Sequence, residues 1–173
     1  MTPPIQTVTR ALLTPDLVFD KLADARAVVG ADGLPKLMRT TRFADTEIEW
    51  QGHRWLLSLP LSSSAILSIE RTVSRIGRLN SDWLTPCRIL PGEMRWYGPS
   101  GEERRCDLLI QHLPDGISFR EALGKLPTDR LLSALGELQK ALRELDFAHG
   151  NLRETNLRWG GDRFIPLRYH GAR

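Results

Sequence analysis

Cysteine is scarce: the 173 residues hold two, Cys87 and Cys106. They share no metal-ligand or redox spacing, so neither a zinc site nor a disulfide framework is expected. The opening MTPPIQTVTR has no basic segment running into an apolar stretch, so no secretory leader is read there. Long apolar runs are also missing. Trp55-Leu56-Leu57 and Leu108-Leu109-Ile110 fall far short of the ~20 residues that cross a bilayer. No membrane span is therefore expected, and a reducing, cytoplasmic compartment is the default. Lysine is nearly absent, four residues against twenty arginines, a bias toward planar, fork-like contacts. There is no internal repeat, no Gly-x-Ser-x-Gly elbow and no Ser-x-x-Lys. His53, His112 and His170 share no ligand spacing. No metal and no cofactor is expected.

What remains is ordinary for a globular chain. Hydrophobic residues make up 41% and charged residues 26%, which sets disorder, collagen and coiled coil aside. The length suits one domain, or a small one with an appendage. A net charge of +3 is too mild to argue for nucleic acid. Trp50, Trp55, Trp83, Trp96 and Trp159 alternate with arginines in places. Such rings serve either base stacking or packing on strand faces, and packing is the commoner use.

Along the chain, Thr14-Pro15-Asp16 opens a helical pattern, with Leu17, Val18, Leu22, Ala25 and Val29 on one face and Gly30 as its stop. Residues 41–61 read as two strands joined at Gln51-Gly52. The run SSSAILSIERTVSRIGRL predicts a serine-capped helix facing inward through Ile66, Ile69, Val73 and Ile76. CRIL and EMRWYG predict short antiparallel strands split by Pro91-Gly92, and CDLLIQHL a further strand. Ser118 to Glu121 match a capping box. A stronger helix follows Pro127-Thr128, with Leu131, Leu135, Leu138, Leu142 and Leu145 as its stripe. Strands and helices segregated in this way predict an α+β fold.

After the leucine helix comes His149-Gly150-Asn151-Leu152-Arg153-Glu154-Thr155-Asn156. This segment resembles the catalytic loop of the protein kinase-like superfamily, H-R-D-L-x-x-x-N. His149, Leu152 and Asn156 match, Gly150 stands at the Arg position as in related bacterial and small-molecule kinases, and Arg153 stands where those often carry Lys. Asn151 replaces the Asp. Counting on by the family's interval, Asp-Phe-Gly falls at Tyr169-His170-Gly171, so Tyr169 replaces the metal-binding Asp. The resemblance further places Ser58 at the phosphate-pairing Lys, Glu70 as that residue's partner, and Gln111 and His112 at the hinge. No G-x-G-x-x-G precedes Trp50.

The resemblance thus implies a kinase-like antiparallel small-lobe sheet plus helix, followed by a truncated, mostly helical large lobe. The expected division is an N-terminal helical extension over 1–33, a small lobe over 34–113, and a truncated large lobe over 114–173. Phosphoryl transfer depends on magnesium and a carboxylate near the nucleophile. Asn151 accepts no proton at neutral pH, and a phenol is a poor ligand for a hard cation. The expectation is an inactive pseudokinase, bacterial and cytoplasmic, with a regulatory or interaction role. Asn151, Arg153, Tyr169 and Ser58 are its degenerate site, and Asn156, Glu70, Gln111 and His112 its weak nucleotide-binding candidates. Against the full fold the chain is short by most of a lobe. A protein partner or a second copy is therefore expected to cover the Leu131, Leu135, Leu138, Leu142 face, with help from the N-terminal helix. The alternative is a divergent small-molecule or sugar kinase using Asp146 or Asp162.

Overall fold

The computed structural model describes residues 3–172, apart from the side chain of Ile5. It has the expected α+β character. The elements run α1 (Ile5–Leu13), α2 (Pro15–Val18), β1 (Arg26–Ala27), β2 (Met38–Arg39), β3 (Phe43–Trp50), β4 (His53–Pro60), α3 (Glu70–Leu79), β5 (Cys87–Tyr97), β6 (Glu103–His112), β7 (Ile117–Ser118), α4 (Phe119–Lys125), α5 (Thr128–Glu144), β8 (Leu157–Trp159) and β9 (Phe164–Pro166). They form two compact units, residues 1–68 with 88–112 and residues 69–87 with 113–173.

The first unit is built on an antiparallel sheet in the order β1-β3-β4-β6-β5, with β2 also paired to β3. The β3–β4 hairpin turns at Gln51 and Gly52, both at positive φ, as a tight turn matched to strand twist requires. Alternation along the strands sorts side chains between two faces. On one face Ile48, Trp50, Leu57, Leu59, Leu108 and Ile110 pack with Val8, Ala11, Leu12, Phe19, Leu22 and Ala25. The N-terminal segment is thus part of this core. It does not stand apart as the extension expected over 1–33.

The helix predicted from Thr14 to Gly30 is cut short to the single turn of α2. Helical backbone stops at Val18 because Phe19 turns extended, bridges Met94 and buries its ring, while the buried Leu22 N–H is captured by Glu93 Oε1 at 2.7 Å. Tertiary contacts outweigh a helical pattern of moderate strength here. The sequence reading also missed α1, whose entry is set by Pro4. Pro91-Gly92 does not split β5 into two strands. Gly92 takes positive φ and its N–H goes to Asp107 Oδ1 at 2.8 Å, so the strand runs on through the irregularity.

The second unit holds α3, α4 and α5. The predicted serine cap is absent: α3 starts at Glu70 behind Ile69 without a side-chain cap. The capping box of α4 forms as expected, Ser118 Oγ accepting the Glu121 N–H and the Glu121 carboxylate accepting the Ser118 N–H. Strands β7, β8 and β9 make a small antiparallel sheet. Leu131, Leu138 and Leu142 are buried and Leu135 half-buried, all in one cluster with Ile76, Leu84, Phe147, Leu157, Trp159 and Phe164. The leucine face expected to need a partner is therefore covered by the unit's own side chains. On α5, Leu132 is the leucine that is exposed. The segment 69–87 joins this unit, not the expected 34–113 lobe, because Ile76 and Leu84 belong to that cluster. Among the tryptophans, Trp50, Trp96 and Trp159 are buried and Trp55 and Trp83 half-buried, in keeping with packing.

Candidate functional site

The loop after α5 is where the sequence placed chemistry, and its residue types turn inward. Helix α5 ends at Glu144 with Leu145 as its cap, and Asp146 reverses the chain at positive φ. His149 is 4% exposed. Its Nε2 bonds to the Leu167 carbonyl at 2.8 Å, and Nδ1 accepts the Asn151 N–H at 3.3 Å. That pattern is the neutral tautomer with the proton on Nε2. Burial holds its pKa below the ordinary histidine value, because a buried cation loses hydration. His149 is thus a brace between two backbone segments.

Gly150 follows at φ +72, and a Cβ there would come within 2.1 Å of the Gly171 carbonyl oxygen. Only glycine lets these two strands of backbone touch. Asn156 is buried, and its Nδ2 donates to the Asn151 carbonyl at 2.8 Å, across the loop. Asn151 itself is half-buried, and Arg153 is exposed.

Tyr169 stands where the resemblance puts the metal-binding Asp. Its residue is 2% exposed, and its hydroxyl accepts the buried Thr85 N–H at 2.9 Å. Its ring meets Phe147 and His149 edge-on at 5.7 Å each. The approach is set by Arg168, at positive φ, whose guanidinium donates to the Thr155 carbonyl. His149, Gly150, Asn151, Asn156 and Tyr169 are therefore brought together, and the bonds among them run to backbone groups.

The other expected residues are distributed differently. Ser58 is buried on β4, opposite Asp45 on β3 and Leu109 on β6. Gln111 is buried opposite Leu56, and His112 is half-buried opposite Trp55. Glu70 is exposed in the first turn of α3. Ser58, Gln111 and His112 belong to the first unit; Glu70 and the loop belong to the second.

The carboxylates of the alternative reading face solvent. The Asp146 side chain is fully exposed and paired with Arg75. Asp162 pairs with Arg163 at 3.0 Å, which holds its carboxyl below the usual range. Neither cysteine is a prepared nucleophile, since burial pushes both thiols up to about 12; a thiol reacts as its thiolate. Cys106 lines a cavity of about 310 Å³ between residues 60–67 and 105–107, whose Arg105 is held by Asp20 and Glu103. Among the described residues there is no cluster of three or more His, Cys, Asp or Glu able to hold a metal ion. Nor is any helix among them long and apolar enough to cross a membrane.

No family model and no curated protein matches the chain. Among solved structures, that of vaccinia related kinase 3 is similar, with a TM-score of 0.51 over 84% of this chain at 14% identity. The fold is protein kinase-like. The chain spans half the length of that kinase structure. The kinase-like likeness is one of backbone, and it fits the antiparallel sheet of the first unit. What the sequence reading missed lies in that sheet: an arginine held by two tryptophans, whose only signal was tryptophans interleaved with arginines.

Proposed function

We propose that this kinase-like chain is catalytically inactive and serves as a regulatory or protein-interaction module. One observation carries the reading: Tyr169, where the sequence resemblance puts the metal-binding Asp, is buried and hydrogen-bonded to the Thr85 backbone. A neutral phenol committed to a backbone N–H offers no charge to a magnesium ion. Asn151 adds no base, and Ser58 no cation for a phosphate. Losing the metal ligand, the carboxylate and the lysine together removes the electrostatic stabilisation on which phosphoryl transfer rests.

The test is phosphoryl transfer and thermal shift in parallel. The purified chain with ATP and magnesium or manganese is expected to turn over no ATP and to show no cation-dependent rise in melting temperature. A rise of several degrees that needs both ligands, with transfer lost in Asn156→Ala, would overturn the proposal.

A further inference from the structure

Four side chains that the kinase-like reading leaves unused meet the hinge candidate His112 at one end of the larger sheet. Trp50 closes β3, His53 and Trp55 open β4, His112 closes β6, and Arg88 lies near the start of β5. Trp55 and His112 are register partners on neighbouring strands, and strand alternation puts His53 on their face. The Arg88 guanidinium carbon sits 5.4 Å from the Trp50 ring centre and 5.3 Å from that of Trp55. The two indoles are 5.9 Å apart at 61°. Three nearly equal sides place the cation in the angle between two rings. His112 meets Trp55 edge-on at 5.4 Å, and His53 meets His112 at 5.8 Å.

The rings are fixed from inside. Trp50 Nε1 donates to Asp24 Oδ1 at 2.9 Å, and Trp55 Nε1 donates to the Trp50 carbonyl at 3.2 Å. Trp50 is buried and Trp55 half-buried, while Arg88 and His53 are exposed. A free surface arginine loses rotamer entropy when it binds something. One already seated against two π faces has little left to lose, so its N–H edge is preorganised. Its charge is also uncompensated. Arg95 and Arg105, on the same hairpin, are paired with Asp20, whereas among the described residues no carboxylate forms an ion pair with Arg88.

We propose that this Trp50–Trp55–Arg88 cradle, flanked by His112 and His53, docks a carboxylate of an acidic protein segment; this rests on the interaction-module reading. A guanidinium edge matches the planar carboxylate with two parallel hydrogen bonds. One fixed positive charge balances one carboxylate better than a doubly charged phosphate. A nucleobase is the wrong occupant, because the indole surfaces it would stack on already hold Arg88 and His112.

The experiment is a titration of the chain's tryptophan emission with a short Glu-rich peptide lacking aromatic residues, at low salt. Wild type is expected to saturate, and Arg88→Gln to bind about tenfold more weakly, the loss of a charge-assisted hydrogen-bond pair. Arg88→Lys, which keeps charge without the fork, should fall between them. Arg39→Gln, at an exposed arginine on β2, should bind as wild type does, and unchanged melting temperatures would show that all variants fold. Absence of saturable binding, equal losses in Arg88→Gln and Arg39→Gln, or displacement of the peptide by inorganic phosphate at lower concentration than by acetate would overturn the proposal. ATP turnover in the transfer assay would sink the inactive-domain reading while leaving this titration intact; failure here leaves that assay unaltered.

Discussion

The two units treat chemically capable side chains in opposite ways. In the second unit, His149, Asn156 and Tyr169 are buried and bonded to backbone groups of Leu167, Asn151 and Thr85. In the first, Arg88 is exposed and leans on two indoles. A polar group that is enclosed and satisfied holds a loop in place, since leaving it unmatched would cost stability. A group that is oriented, exposed and uncompensated remains available to a partner. The residue types that look most catalytic in the sequence are thus the structural ones, and an arginine outside every motif is the best-prepared contact.

That contrast can be broken from the structural side. The largest effect is expected for Gly150→Ala. The new Cβ would meet the Gly171 oxygen at 2.1 Å on a left-handed backbone, so stability should fall by about 2–4 kcal/mol in denaturant unfolding. A loss under half that would mean the Gly150–Gly171 contact is loose. Next is Tyr169→Phe, which strips the hydroxyl from the Thr85 N–H and should cost about 1–3 kcal/mol. If instead Tyr169→Phe were neutral and Tyr169→Asp folded and bound magnesium, the inward reading of this position would be wrong.

The smallest effect is a pH dependence. His149 has a folded pKa below the ordinary value of 6.5, so the unfolded chain takes up the proton more readily. Its contribution to stability is complete above pH 6.5 and is lost as pH falls from there through the lowered folded value. Melting temperature should therefore drop on acidification below pH 6.5, and His149→Gln should flatten that slope. A slope unchanged in His149→Gln would assign it to other groups. The Arg88→Gln variant, by contrast, should leave all these stability measures within about 0.5 kcal/mol of wild type.

Much of the second unit was legible before folding. The capping box at Ser118 and the leucine stripe of α5 follow from local rules that tertiary context did not disturb. The catalytic-loop resemblance led to residues that do cluster, because a loop braced by His149 and closed by Gly150 against Gly171 keeps its spacing whatever its chemistry. Less legible was the N-terminal region. Its helical pattern from Thr14 onward lost to the burial of Phe19 and the capture of the Leu22 N–H by Glu93, neither visible from neighbouring residues. The leucine stripe was legible as an apolar face, but the partner expected to cover it is not what buries it: the cover includes residues from 69–87 and 147–169, which periodicity on one helix does not reveal.

The sequence by itself determined the α+β composition, the β3–β4 hairpin and the main helices of the second unit, since each depends on residue type and short spacing. Only the tertiary structure decided which way those residues face. Burial of Tyr169 and His149, self-coverage of the leucine face and the seating of Arg88 between Trp50 and Trp55 all join residues distant in the chain. Such contacts form when the sheet and helices close on their cores, and no local pattern encodes them.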